Sequence, residues 1–211
     1  MDAVKAEKVE KAAVKVEIKT ADQSQIASLK LNKAIELIRA GQLQKAEPLL
    51  QVLINGPMEL SARRQLLALY ALSGNSSSYL ELARQSQQRY PQQSIFNTEL
   101  ARALFQHQQY PEAINLLQNA GELDSAQHAL LAASYQRNNQ HQKAVEHYHH
   151  ALKLDRGQSR SWIGLAISLE HEAKFNKALQ SYQTALRLGN LNERLIQFVE
   201  QRSRKLKQVI N

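Results

Sequence analysis

The chain has 211 residues and a net charge of +8, and 43% of its residues are hydrophobic. That share is too high for a disordered chain, and no apolar run approaches the roughly 20 residues that a membrane-spanning helix needs. The chain contains no cysteine, which excludes a disulfide scaffold, a thiol nucleophile and a cysteine-ligated metal.

The composition favours helices. Only four prolines and seven glycines occur. Residues branched at Cβ, which prefer strands, are sparse beside Ala, Leu and Gln, which prefer helices. We therefore predict an all-α fold.

The first segment, residues 1–26, differs from the rest of the chain. Five lysines balance five acidic residues there, and the segment contains neither an aromatic residue nor leucine. Val14, Val16 and Ile18 alternate with charged or polar residues, which is a weak strand pattern. Such a short and charged piece cannot bury itself, so we predict a disordered tail or linker. It also differs from a secretory signal peptide, which needs an apolar centre.

An internal repeat organises the rest of the chain. One set of residues recurs after 34 positions: Leu131, Ala132, Tyr135, Ala144, Tyr148 and Ala151 become Leu165, Ala166, Leu169, Ala178, Tyr182 and Ala185. Similar sets precede it at steps of 31, 33 and 34 residues. One slot is alanine in every copy: Ala34, Ala68, Ala101, Ala132 and Ala166. In the second copy, Leu80 replaces the next alanine and Gln87 replaces the last small residue.

The spacing within each copy predicts a pair of antiparallel helices. Apolar residues separated by three or four positions fall on one helical face. A small residue at a helix crossing lets the two backbones approach closely.

This period, with small residues in these slots, resembles the tetratricopeptide repeat family. The match is strongest in residues 159–192, where Trp162 also occupies a signature slot that packs between the two helices in this family. The resemblance implies a right-handed α-solenoid with five repeats, 27–60, 61–93, 94–124, 125–158 and 159–192. Residues 193–211 form an apolar stripe with basic residues between, and we expect a capping helix there.

A more specific resemblance covers the end of the chain. The runs 162–170, 178–186 and 191–202 are similar to the C-terminal region of MshN-type proteins, which belong to the biogenesis machinery of the mannose-sensitive haemagglutinin (MSHA) pilus, a type IV pilus. Members of that family carry an N-terminal membrane anchor and a linker. The resemblance therefore implies the soluble domain of a bacterial inner-membrane-anchored protein, on either the periplasmic or the cytoplasmic side. Membrane contact would occur only through an anchor that this chain lacks.

Family analogy also gives a candidate binding surface, because the first helices of tetratricopeptide repeats line a concave groove. The lining positions would be Leu31, Ile35, Gln65, Leu69, Leu72, Thr98, Arg102, Phe105, Ala129, Ala133, Gln136, Arg137, Ile163 and Ile167. Leu31 and Ile35 stand where some members carry the Lys and Asn that bind a peptide carboxylate, so that clamp is not matched. The groove should be largely apolar, and the alanines leave room for a bulky group.

We therefore predict a protein-interaction scaffold that binds a protein or peptide segment, such as a component of the pilus apparatus. Alternatives are a general tetratricopeptide adaptor or co-chaperone unrelated to pili, and a groove filled by the chain's own tail. The basic charge is diffuse rather than clustered, which makes nucleic-acid binding the least favoured alternative.

Catalytic and metal-binding signals are weak. His147, His149 and His150 follow Glu146 on one predicted helix, and pairs at this spacing can hold a metal. A structural zinc site needs four ligands, and the sequence shows no further partner, so we interpret these residues as a polar helix face. The chain contains no nucleotide-binding, zinc-protease or nucleophile-elbow motif. We predict no enzyme activity, no cofactor, no metal and no small-molecule substrate.

Overall fold

The computed structural model describes residues 22–210, which are mostly helical and contain no strand. Eleven helices follow one another in that range: α1 (22–39), α2 (Leu43–Leu53), α3 (Glu59–Ser73), α4 (Ser76–Arg89), α5 (Ser94–Gln106), α6 (Tyr110–Gln118), α7 (Ser125–Arg137), α8 (His141–Leu154), α9 (Ser159–His171), α10 (Phe175–Leu188) and α11 (Glu193–Ile210). The predicted all-α fold is confirmed. None of these helices combines the length and the apolar character needed to cross a membrane.

The predicted tail needs one correction. Residues 1–21 lie outside the described residues, but residues 22–26 are helical and belong to α1. Ala27, one residue later, is already buried against the core. The helix therefore begins before the first predicted repeat. The division into five repeats stays a prediction.

The described residues form two compact units, the first ending at Ser86 and the second beginning at Gln87. In the first unit, α2 packs against α3. Buried polar groups join the apolar core there. Arg63, only 6% exposed, donates from Nε to Glu59 Oε1 at 2.9 Å and from a terminal nitrogen to Ser86 Oγ at 3.3 Å. Since an unpaired buried charge is costly, this pairing makes the buried guanidinium tolerable.

The second unit is a series of helices in which each packs against the next, from α5 to α11. Its core is built from alanines at helix crossings and from larger side chains between them, including the fully buried Tyr135 and Tyr182. Trp162 is half-buried against this core and donates from Nε1 to the carbonyl oxygen of Arg156 at 3.0 Å.

In the second copy, the buried slot that holds alanine in the other copies falls one residue earlier than the sequence suggested. Four of the five shared alanines have no exposed surface: Ala34, Ala101, Ala132 and Ala166. Ala68 is exposed, and its neighbour Leu67 is buried at 1% exposure. The prediction that Ala68 packs at a helix crossing is therefore wrong, because Leu67 faces the core.

The second helix of that copy shows the same one-residue shift. Tyr79 and Ser86 are buried, at 1% and 0% exposure, where Leu80 and Gln87 were expected. Leu80 and Gln87 are only half-buried. The slot for the last small residue is thus filled by serine, whereas the larger Leu67 and Tyr79 fill the two slots that are alanine in the later copies.

Backbone geometry gives the same register. Between the two helices of each pair, one residue adopts a left-handed conformation with φ from 55° to 72°: Gly41, Gly74, Gln108, Asn139 and Ala173. Such a residue ends a helix and reverses the chain. Gly74 lies 65 positions before Asn139, and Leu67 lies the same 65 positions before Ala132.

The last helix covers the end of the second unit. Val199 and Leu206 of α11 are buried, and the Phe198 ring meets Tyr182 edge-on, with ring centroids 6.3 Å apart. Arg202 forms an ion pair with Glu170 of α9, including a contact from Nε to Oε1 at 3.2 Å. Helix α11 therefore packs against the end of the second unit, and its role as a cap stays a prediction.

Candidate functional site

Hydrogen bonds made by glutamine side chains join α5, α7 and α9, which are the first helices of the three helix pairs in the second unit. Gln127 of α7, only 2% exposed, donates from Nε2 to Ser94 Oγ at 3.0 Å and to Thr98 Oγ1 at 2.8 Å on α5. Its Oε1 accepts the backbone N–H of Asp124 at 2.9 Å, within the capping box that begins α7. All polar atoms of this buried amide are therefore paired.

A second amide makes the same kind of link on the other side of α7. Gln136 donates from Nε2 to the carbonyl oxygen of Gly164 at 2.9 Å and to Ser168 Oγ at 2.6 Å, both on α9. Two predicted groove residues, Thr98 and Gln136, thus use polar atoms to hold the helices together. Hydrogen bonds between side chains therefore fix α5, α7 and α9 relative to one another. The sequence predicted an apolar groove and did not predict these hydrogen bonds.

The remaining predicted groove residues of this unit differ in exposure. Arg102 and Arg137 are exposed, and Arg102 pairs with Glu99 at 3.3 Å. Four others are half-buried: Phe105, Ala129, Ala133 and Ile167. Ile163 is 5% exposed and belongs to the core, so its side chain is not available to a ligand.

The predicted groove residues of the first unit also differ in exposure. Leu31, Ile35 and Gln65 are half-buried, and Leu72 is 66% exposed. Leu69 is 1% exposed and packs in the core, so its assignment to an open groove is wrong. The error follows from the one-residue shift of α3, which turns Leu69 inward.

A cluster of imidazoles lies elsewhere in the second unit. His128 on α7 faces His147 on α8, with 3.2 Å between their Nδ1 atoms. The ring of His150 stacks on His128 with 5.1 Å between centroids. The expectation that His147 and His150 have no histidine partner is therefore wrong. His128 was not singled out because it lies 19 residues upstream, on a different helix.

Burial makes protonation of this cluster unfavourable. It lowers the pKa of His128 and of His147, and the charges of neighbouring imidazoles lower both pKa values further. Asp124 and Glu146 act in the opposite direction. Within residues 22–210, no group of three or more His, Cys, Asp or Glu side chains is placed to hold a metal ion.

A second imidazole pair joins α8 to α9. The rings of His141 and His171 stack in parallel, with 3.9 Å between centroids and 4° between planes. Burial lowers the pKa of His141, His171 lowers it further, and Glu172 raises it. Protonation of both rings at once is unfavourable, because two imidazolium ions at that distance would repel each other.

No protein-family model matches the chain, and no curated protein matches it either. Solved structures do match. PilF of Pseudomonas aeruginosa has a TM-score of 0.70 at 16% identity, covering 87% of this chain and 90% of PilF. MamA of Desulfovibrio magneticus RS-1 has a TM-score of 0.69 at 17% identity, covering 77% of this chain and 94% of MamA.

A third similar structure is TTC0263, described as a thermophilic TPR protein of Thermus thermophilus. Its TM-score is 0.65 at 17% identity, and the match covers 83% of this chain and 98% of that protein. Identities this low show a shared fold and leave function open. The chain has the all-α tetratricopeptide-repeat solenoid fold.

Proposed function

We propose that this protein is a non-catalytic scaffold that binds a segment of a partner protein along α5, α7 and α9, in the assembly of an MSHA-like type IV pilus. The fold supports the first part, because tetratricopeptide arrays suit protein interaction. The pilus role is supported by the sequence similarity of residues 162–170, 178–186 and 191–202 to MshN-type proteins.

The observation that carries the proposal is the surface of α7. Ala129 and Ala133 are half-buried small residues, one helical turn apart, on the helix that α5 and α9 flank. The amides on either side of them are already paired with neighbouring helices. A ligand can therefore approach the backbone here without disrupting the bonds that hold the unit together.

Two arginines define the charge of the expected ligand. Arg102 on α5 and Arg137 on α7 are exposed, and Arg102 forms an ion pair with Glu99. A segment with an apolar face and acidic side chains complements this surface. Its carboxylates would form charge-assisted hydrogen bonds with the guanidinium groups.

The test places a charge in the proposed site. Ala133→Glu should abolish capture of the partner from an extract of the native bacterium, while helicity and melting temperature stay unchanged. Gln142→Glu adds the same charge at an exposed position of α8 and serves as the matched control.

Mass spectrometry of the captured proteins separates the two functional assignments. A pilus component lost only with Ala133→Glu supports the full proposal, and a partner outside the pilus apparatus supports a general adaptor instead. Equal capture by wild type, Ala133→Glu and Gln142→Glu would exclude the α5–α7–α9 surface as the binding site.

A further inference from the structure

A cleft of about 560 Å³ lies in the second unit, between α8 and the connection from α6 to α7. Its walls combine imidazole, ammonium and leucine side chains: His128, His147, His150, Lys153, Leu123 and Leu154. None of these residues belongs to the surface proposed above for the partner segment.

We propose that this cleft is a second binding site, for a protein segment that places an acidic side chain among the imidazoles and an apolar side chain against the leucines. This site is independent of the α5–α7–α9 surface.

The imidazoles favour an anion because of how they face each other. With 3.2 Å between the Nδ1 atoms of His128 and His147, one nitrogen donates a hydrogen and the other accepts it. If the accepting nitrogen were protonated as well, two N–H donors would face each other. The ring of His150 lies beside both imidazoles. A carboxylate in the cleft would accept hydrogen bonds from these rings and compensate the added positive charge.

Other charges around the cluster are mixed. Asp124 at the start of α7 and Glu146 on α8 favour protonation of the neighbouring imidazoles. Lys153 and Glu122, both exposed, stand in the wall of the cleft with opposite charges. Asp124 and Glu146 favour protonation, but they do not remove the unfavourable contact between two protonated Nδ1 atoms of His128 and His147. An added anion therefore draws a proton into the cluster, and its affinity rises as the pH falls.

The leucines decide between an inorganic anion and a peptide. Leu154 and Leu123 both line the cleft, and Leu154 is 60% exposed whereas Leu123 is half-buried. Burial of these side chains would stabilise a complex only if the ligand carries apolar groups. A segment with alternating acidic and leucine residues satisfies both parts of the cleft.

The probe is a fluorescein-labelled peptide of alternating Leu and Glu, compared with a peptide of alternating Leu and Gln. Binding is measured by anisotropy at pH 8.0 and pH 6.2, with EDTA present so that no metal bridges the two molecules. The dissociation constant of the Leu/Glu peptide should fall by up to about tenfold per pH unit, the limit for one proton taken up. The Leu/Gln peptide should bind at least about tenfold more weakly at pH 6.2.

Variants locate the site. His150→Gln and Lys153→Gln, both at exposed positions in the cleft wall, should each weaken binding. His149→Gln, on the same helix but outside the cleft, is the matched control and should bind as wild type. Ala133→Glu should also bind the peptide as wild type, which separates this site from the proposed scaffold surface.

Four results would overturn the proposal: equal binding of the two peptides, binding that does not depend on pH, equal loss with His149→Gln, or displacement by inorganic phosphate at concentrations comparable to the peptide. Circular dichroism at both pH values establishes that each variant is folded. Since the two cleft variants are tested separately, failure of one to fold leaves the other to decide.

Discussion

Gly164 gives the sharpest test of packing in the second unit. It lies in the middle of α9, against the ring of Tyr148 from α8. A Cβ at this position would lie 2.2 Å from Tyr148 Cζ and 2.3 Å from its hydroxyl oxygen. Carbon atoms in contact prefer about 3.5–4.0 Å, so the ring would have to retreat by roughly 1.3 Å or more. Tyr148 is only 5% exposed, so the core around it would have to yield.

The expected magnitude combines two opposing effects. Overpacking of a well-filled core costs about 1–3 kcal/mol, whereas alanine is favoured over glycine within a helix by about 1 kcal/mol. Gly164→Ala should therefore lower the free energy of unfolding by about 1 kcal/mol, and by no more than about 2 kcal/mol. Urea unfolding followed by circular dichroism at 222 nm measures the difference.

The control is the same substitution in a Tyr148→Leu background. Leucine does not reach the position of the tyrosine Cζ, so the added methyl no longer clashes. Gly164→Ala should then stabilise the protein by up to about 1 kcal/mol through helix propensity alone. A similar stabilisation in both backgrounds would refute the contact between Gly164 and Tyr148.

Three further predictions concern the cap, the turns and pH. Deleting residues 193–211 should expose the apolar face that α11 covers and lower the free energy of unfolding by several kcal/mol; an unchanged melting temperature would show that α11 is not a cap. Ala173→Gly should raise the melting temperature, because Ala173 has φ of 55°, which costs a non-glycine residue about 1 kcal/mol; a lower value would contradict this geometry. For His141, stacked on His171, the lowered pKa means that the unfolded chain binds the proton more readily. Stability should therefore fall as the pH drops below about 6.5, and less so in His171→Gln; equal slopes in wild type and variant would contradict the stacking argument.

Local spacing made most of the fold predictable from sequence. The alanines that recur at 34 residues, such as Ala132 and Ala166, are fully buried. Helical periodicity alone places them on the packed face of each helix, so no knowledge of tertiary structure was needed.

Contacts between helices could not be predicted in the same way. His128 meets His147 across 19 residues, and Gln127 bonds to Ser94 across 33 residues. Both depend on the rotation of one helix about its axis relative to the next, which the repeat period does not determine. The cleft and the bonds between α5, α7 and α9 were therefore missed, although their helices were identified.

The error in the second copy has a specific cause. Leu67-Ala68 reproduces the Leu-Ala pair found in three other copies, so sequence similarity alone aligned it with Leu131-Ala132. Burial instead equates Leu67 with Ala132, and the left-handed Gly74 agrees with that register. A local likeness of two residues was less informative than the distance to the turn.

A matched pair of substitutions tests this register directly. Ala68→Leu places a larger side chain at an exposed position of α3 and should change the free energy of unfolding by less than about 0.5 kcal/mol. Ala132→Leu inserts the same atoms into a fully buried helix crossing and should cost about 1–3 kcal/mol or more. Both are measured by urea unfolding, with helicity in water as the check on folding. If Ala68→Leu were as costly as Ala132→Leu, the alanine would lie at the crossing after all, and the register read from burial and from the turn at Gly74 would be refuted.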